Sequence, residues 1–246
     1  MQLDLSLELA TDFVFRGTEL PEPAGQEDAL HHTADAKLTF NSLTMTGPTT
    51  VRPFLGLLID LADDENRSAF QRAWPSAGLI FETEDLGRLE LGHTTFIYPD
   101  RSRLNTNELY LRAEPTPLRA DVGGLGTVLL RPGVLLAWDY DAYDGVYAEA
   151  TLAADRPFET IGLTLGLDAT LAAATGLAER YGTDAGGAAF YELGVRGDYQ
   201  LNTLLNIPRG RGDWSAYARL AYTDGLDGRF DVESQLWGVV GLSLAY

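Results

Sequence analysis

The stretch Leu3–Arg16 limits what this chain can fold into more than any other. Leu3, Leu5, Leu7, Leu9, Phe13 and Phe15 take odd positions, while Asp4, Ser6, Glu8, Asp12 and Arg16 take most of the even ones. A two-residue period sends the apolar set to one face of an extended strand and the charges to the other. A helix would spread both sets around its circumference. The run is longer than the ~5–6 residues of ordinary strands and covers the ~9–11 that a tilted bilayer crossing needs. Two architectures use such a strand: a soluble sandwich with one wet face, and a membrane barrel with lipid outside and a polar lumen.

The alternation recurs along the whole chain. Ala34, Ala36, Leu38 and Phe40 oppose Thr33, Asp35, Lys37 and Thr39; Leu55, Leu57, Ile59 and Leu61 oppose Arg52, Gly56 and Asp60. Later segments repeat it around Arg72, Arg88, Arg112, Arg131, Asp139, Glu149, Asp168, Glu192, Arg196, Asp198 and Arg219, and the last apolar set is Leu236, Val240, Leu242, Leu244 and Tyr246. Counting these segments predicts an all-β, up-and-down antiparallel barrel of about twelve strands, one domain over residues 1–246. The turn signals fit: Asp144-Gly145 reads as a hairpin, and the Pro- and Gly-rich segments 17–29, 115–126 and 202–213 read as connections.

Composition separates the two architectures less than the faces do. The 18 basic and 36 acidic residues leave a net charge of −18, which argues against nucleic acid as a partner. Cysteine is absent, so no disulfide or thiolate metal site is expected. No apolar run reaches the ~18 residues of a membrane helix. Met1-Gln2-Leu3-Asp4 lacks a signal-peptide pattern, which reads as a mature exported or a cytosolic chain. The apolar faces are almost purely Leu, Ala, Val and aromatic. In a soluble barrel twelve such faces would have to fill a wide interior, whereas in a membrane barrel they meet lipid. Aromatics near strand ends (Phe13, Phe15, Phe40, Phe81, Trp138, Tyr140, Trp214, Tyr246) suit an interfacial girdle.

Two segments resemble known families. Gly241-Leu242-Ser243-Leu244-Ala245-Tyr246 is similar to the C-terminal signal of bacterial outer-membrane proteins, carried by Gly241, Leu244 and Tyr246. That resemblance implies recognition by the barrel-assembly machinery of a Gram-negative-type bacterium. Ala10-Thr11-Asp12-Phe13-Val14-Phe15-Arg16-Gly17 resembles the opening strand of the TorF-type porins, and Trp138–Asp141, Gly145–Glu149 and the closing strands resemble related outer-membrane proteins. Val51–Glu65 departs from that pattern, lacking a Gly-rich, Trp-containing strand. The likeness implies location and fold more than substrate.

The expected function is a narrow channel for ions or small polar solutes. Its lumen would be lined by Asp4, Glu8, Asp12, Arg16, Arg52, Arg72, Arg112, Arg131, Asp139, Glu192, Arg196, Asp198 and Arg219. Inward acids outnumber inward bases, so a conducting lumen should prefer cations, unless the charges pair into ladders that brace the wall. Eight strands leave a filled interior and sixteen an aqueous channel, so about twelve implies a narrow or occluded one. With an even strand count both termini fall on one side, the periplasmic side by analogy. The acidic connections 17–29, 62–67 and 223–234, with 172–187, then face outward, where divalent cations would bridge them to lipopolysaccharide.

An enzyme is the alternative. His93, Thr95 and Asn107 share an apolar face and resemble the catalytic hairpin of outer-membrane phospholipase A, with Thr95 where that family has Ser. A closed barrel with a structural or adhesive role is the third reading. His31-His32 has no further ligands at metal spacing, and Gly123-Gly124-Leu125-Gly126 reads as a turn, so neither a metal nor a cofactor is expected.

Overall fold

A computed structural model describes residues 1–11, 14–15, 18–19, 30–43, 49–62, 70–99, 102–177 and 185–246. The alternating segments become β1 (Gln2–Ala10), β2 (His31–Thr39), β3 (Thr50–Ala62), β4 (Phe70–Thr83), β5 (Gly87–Phe96), β6 (Thr106–Glu114), β7 (Thr127–Asp139), β8 (Gly145–Phe158), β9 (Leu163–Thr175), β10 (Gly187–Gln200), β11 (Asp213–Gly225) and β12 (Gln235–Ala245). Each pairs antiparallel with its sequence neighbours, and β12 returns to β1 through Asp4↔Ala245 to Ala10↔Val239. The result is a closed 12-strand antiparallel barrel. Closure removes the free edges that an open sheet of alternating strands would expose.

Both termini lie at one end, where Leu3 and Tyr246 exchange two backbone hydrogen bonds. The connections at that terminal end carry small local structures: a short strand at Leu118–Asp121 paired with β7, a 3₁₀ turn at Gly123–Leu125, and one helical turn at Leu201–Leu204. The Gly123–Gly126 segment is a turn, with positive φ at Gly123 and Gly126, a conformation that glycine adopts without a Cβ clash. Asp12, Phe13, Arg16, most of 17–29 and nearly all of 62–67 lie outside the described residues.

The two faces separate as the alternation requires. Leu7, Leu55, Leu91, Leu109, Val134, Leu167, Leu193 and Val240 are exposed on the outer surface. Phe40, Trp138, Tyr140 and Tyr246 are exposed near strand ends, with Phe81 and Trp214 half-buried. The inner face carries the charges together with a second aromatic set. Tyr147 and Phe190 pack with Ala137, Ala172 and Ala174, and Leu177 and Phe230 from the connections at the end away from the termini complete that cluster. It fills the β7–β10 side of the lumen there. On the β4–β5 side Trp74 meets Phe96 edge-on at 4.9 Å, with Tyr98 beside them.

Candidate functional site: the lumen

The inner wall has two charged sectors. In the first, Lys37 Nζ lies 2.7 Å from Glu90, and Arg88 donates to the same carboxylate at 2.6 Å. The Tyr110 hydroxyl donates to the other Glu90 oxygen at 2.8 Å, so one nearly buried carboxylate takes three donors. Arg52 donates to both oxygens of Glu82 at 2.6 Å. Toward the end away from the termini Arg72 Nη1 lies 2.7 Å from Asp60, and His31 Nδ1 sits 3.1 Å from the same carboxylate, all three buried. His31 thus lies beside the Arg72–Asp60 pair inside the barrel.

The second sector spans β7 to β12. Arg196 donates to Asp155 at 2.6 Å and Arg131 approaches its other oxygen at 3.0 Å; Asp198 stands 4.0 Å from Arg196. Arg219 bridges Asp168 at 2.5 Å and Glu192 at 2.6 Å and lies over the Trp237 ring at 4.9 Å. Thr223 donates to the remaining Glu192 oxygen. Glycines make these bridges possible. Gly166 sits between Asp155 on β8 and Arg196 on β10 in the ladder, and a Cβ there would fall 2.7 Å from the arginine Nε. Without that Cβ the guanidinium crosses the middle strand flat against the wall.

Tyrosines use the same device. Tyr110 pairs with Gly92 and Tyr217 with Gly241, and a Cβ on either glycine would strike the tyrosine ring. Each hydroxyl then reaches a glutamate, Tyr110 to Glu90 and Tyr217 to Glu8. Gly241, noted for its place in the C-terminal motif, therefore has a local packing reason as well. Leu244 and Tyr246 are half-buried and exposed on the outer face.

The remaining sequence-assigned lumen residues fall as follows. Asp4 accepts from Gln2 near the terminal mouth. Asp139 faces inward but is buried, taking the Thr106 hydroxyl at 2.7 Å and backbone amides of the β7–β8 turn; it pins that turn and does not line open space. Arg112 lines an open cavity beside Asp35. Asp155 was not among the expected residues, yet it is the most buried carboxylate of the second sector and shares the parity of Glu149 and Thr151.

Among the described residues two cavities lie in the lumen. One of about 560 Å³ opens at the terminal end and is lined by Asp4, Asp35, Lys37, Gln200 and Asp213. The other, about 210 Å³, lies further in against Glu90, Glu108, Tyr110, Arg112 and Trp74. Asp35 and Lys37 line both.

On the outer face His93 Nε2 lies 2.7 Å from the Tyr140 hydroxyl. Thr95 donates to Asn107 Oδ1 at 2.8 Å, and Asn107 donates to Asp141 at 2.7 Å. The three residues of the hydrolase alternative therefore share one neighbourhood, but the Thr95 proton points to an amide oxygen. An activated nucleophile needs its proton aimed at a base. Among the described residues no group of three or more His, Cys, Asp or Glu side chains is placed to hold a metal ion.

No family model and no curated protein matches the sequence. Solved structures with the same fold include an outer-membrane channel from Pseudomonas putida F1, at TM-score 0.56 and 10% identity over 100% of this chain and 95% of that one. The NanC porin superposes at TM-score 0.53 and 12% identity over 98% of each chain. The KdgM porin does so at 0.51 and 12%, over 100% of this chain and 99% of that one. At these identities the likeness is one of fold: this chain has the closed barrel that such porins and channels have.

Proposed function

We propose that this protein is an outer-membrane β-barrel acting as a narrow channel for ions or small polar solutes, with a preference for cations. The observation that carries the reading is the pairing of an exposed aliphatic outer belt with a charged interior that keeps open volume. Leu, Val and aromatic side chains meet lipid favourably, while a polar lumen needs water or pairing. The cavity at the terminal mouth offers the carboxylates of Asp4, Asp35 and Asp213 against the amine of Lys37, which Glu90 already engages. A charged wall around a narrow aqueous path concentrates counter-ions.

The TorF-type motif around Asp12–Gly17 and the C-terminal Gly241, Leu244 and Tyr246 support export, assembly by the barrel machinery and an outer membrane with lipopolysaccharide. The termini would then be periplasmic. Protease cleavage on intact cells restricted to the connections away from the termini would agree; cleavage confined to 115–126 and 202–213 would invert the orientation. The hydrolase alternative has the weaker geometry, because Thr95 is hydrogen-bonded to Asn107 and not to His93. Reconstitution in planar bilayers tests the main reading: discrete conductance steps support it. A silent membrane together with fatty-acid release from phospholipid vesicles would favour the lipase, and silence in both assays a closed structural barrel.

A further inference from the structure

Lys37 lines both lumenal cavities. It springs from β2, and its partner Glu90 is on β5. At ~4.8 Å per strand the two backbones are roughly 14 Å apart along the sheet, so the pair closes only because both side chains extend toward each other, and they meet on the lining of the inner cavity. The supports of this crossing are built from small residues under rings. The Phe54 ring lies over Gly78, where a Cβ would fall 2.7 Å from the ring edge, and Lys37 Nζ sits 4.0 Å above the Phe54 centroid. From the other side the Tyr110 ring lies over Gly92 and its hydroxyl holds Glu90.

We propose that the Lys37–Glu90 pair is the constriction of this channel, and that Lys37 sets its size limit and restrains its cation preference. The inference rests on the channel reading above. Away from the termini, Tyr147, Phe190 and Phe230 fill one side of the lumen and Trp74, Phe96 and Tyr98 pack on the other, and among the described residues the cavity beside β2–β6 that Lys37 lines is the open space at that depth. The charges facing that point are balanced. Lys37, Arg88 and Arg112 stand against Asp35, Glu90 and Glu108. Removing the lysine therefore leaves an acidic neck, and removing the glutamate charge leaves a basic one.

Single-channel recording of Lys37→Gln and Glu90→Gln at low salt tests this, with heat-modifiable electrophoretic mobility confirming that each variant is folded. Lys37→Gln should raise conductance and move the reversal potential further toward the cation value. Glu90→Gln should move it the other way. The chain has no cysteine, so Lys37→Cys adds a unique thiol. A cationic methanethiosulfonate should then cut the current of that variant and leave the wild-type current unchanged. A conducting wild-type whose conductance and reversal potential survive Lys37→Gln, or a Lys37→Cys channel indifferent to the reagent, overturns the assignment. If the wild-type is silent and Lys37→Gln conducts, the constriction is supported and so is the channel. If all of them are silent, both fail, whereas a conducting wild-type with indifferent variants sinks the constriction alone.

Discussion

Both charged sectors of the lumen carry arginine–carboxylate braces between neighbouring strands, and they differ in the lysine pair that the first sector adds across three strands. On β7–β12 each arginine lies along the wall: Arg196 crosses Gly166 to Asp155, and Arg219 reaches Asp168 and Glu192 on the nearest strands. On β2–β6 the Lys37–Glu90 pair spans three strands and lines the open space. A guanidinium has a planar fork that bridges two carboxylates at once, while a lysine amine is a point charge on a flexible stem. The first suits a brace between strands and the second a side chain that can block a path. Interior charge in a barrel is therefore not one feature with one role. Where the partners sit on adjacent or next-but-one strands it holds the wall, and where they are three strands apart it occupies the lumen.

The sharpest way to break this comparison is Asp155→Ala. It leaves Arg131 and Arg196 facing a cavity without their carboxylate, and losing one partner of a buried pair costs ~3–5 kcal/mol, nearer the low end here because both arginines are partly solvated. Urea unfolding in detergent micelles should show that loss, while the folded fraction keeps the wild-type conductance. If conductance changed more than stability, the β7–β12 sector would belong to the path and not to the wall.

Gly92→Ala comes next. The new methyl meets the Tyr110 ring, and overpacking of this kind costs ~1–3 kcal/mol. Adding Tyr110→Ala should recover part of the loss, because the atoms nearest to the new methyl belong to that ring. The single variant should also disturb the current, since Tyr110 holds Glu90. A Gly92→Ala protein with unaltered stability and current would show that the ring does not need the bare wall.

The smallest effect is expected from a pair that belongs to neither sector. In the β11–β12 connection Arg229 donates to Asp227 at 2.5 Å and holds its carboxyl below the ordinary carboxylate range. A depressed folded value means that the stabilisation is present above the unfolded pKa of ~3.9 and is lost as the pH falls below it through the lower folded value. Asp227→Asn should therefore differ slightly from the wild-type in unfolding midpoint at pH 7 and converge with it at acid pH. A difference that grew on acidification would reverse the sign. The pair is solvent-exposed, where such contacts contribute little.

The contrast between the sectors also marks what the sequence could reveal. The strand count, the inward parity of Arg52, Arg112, Arg131, Glu192, Arg196, Asp198 and Arg219, and the outward Leu faces all follow from a two-residue period. Asp155 did not emerge, because Arg156-Pro157 looks like a strand end, yet β8 continues through Phe158. A proline costs one ladder donor and ends a strand only where that donor is needed. The inward rings Phe54, Trp74, Tyr147, Phe190 and Trp237 were equally hidden, since aromatics in a barrel are expected at its interfaces. Trp74 shared the parity of Arg72 and Ser76, which was the signal available. That Lys37 meets Glu90, fifty-three residues on, depends on both side chains extending toward each other across the sheet. No local pattern encodes that.

The central claim is a conducting, cation-preferring lumen, and the reversal potential of the wild-type barrel across a salt gradient in a planar bilayer tests it most directly. The account predicts a potential on the cation side, largest in dilute salt and shrinking as the Debye length falls from ~30 Å at 0.01 M to ~3 Å at 1 M. A potential on the anion side would contradict it, and would mean that the carboxylates are neutralised in their pairs while Arg112 and its neighbours govern the neck.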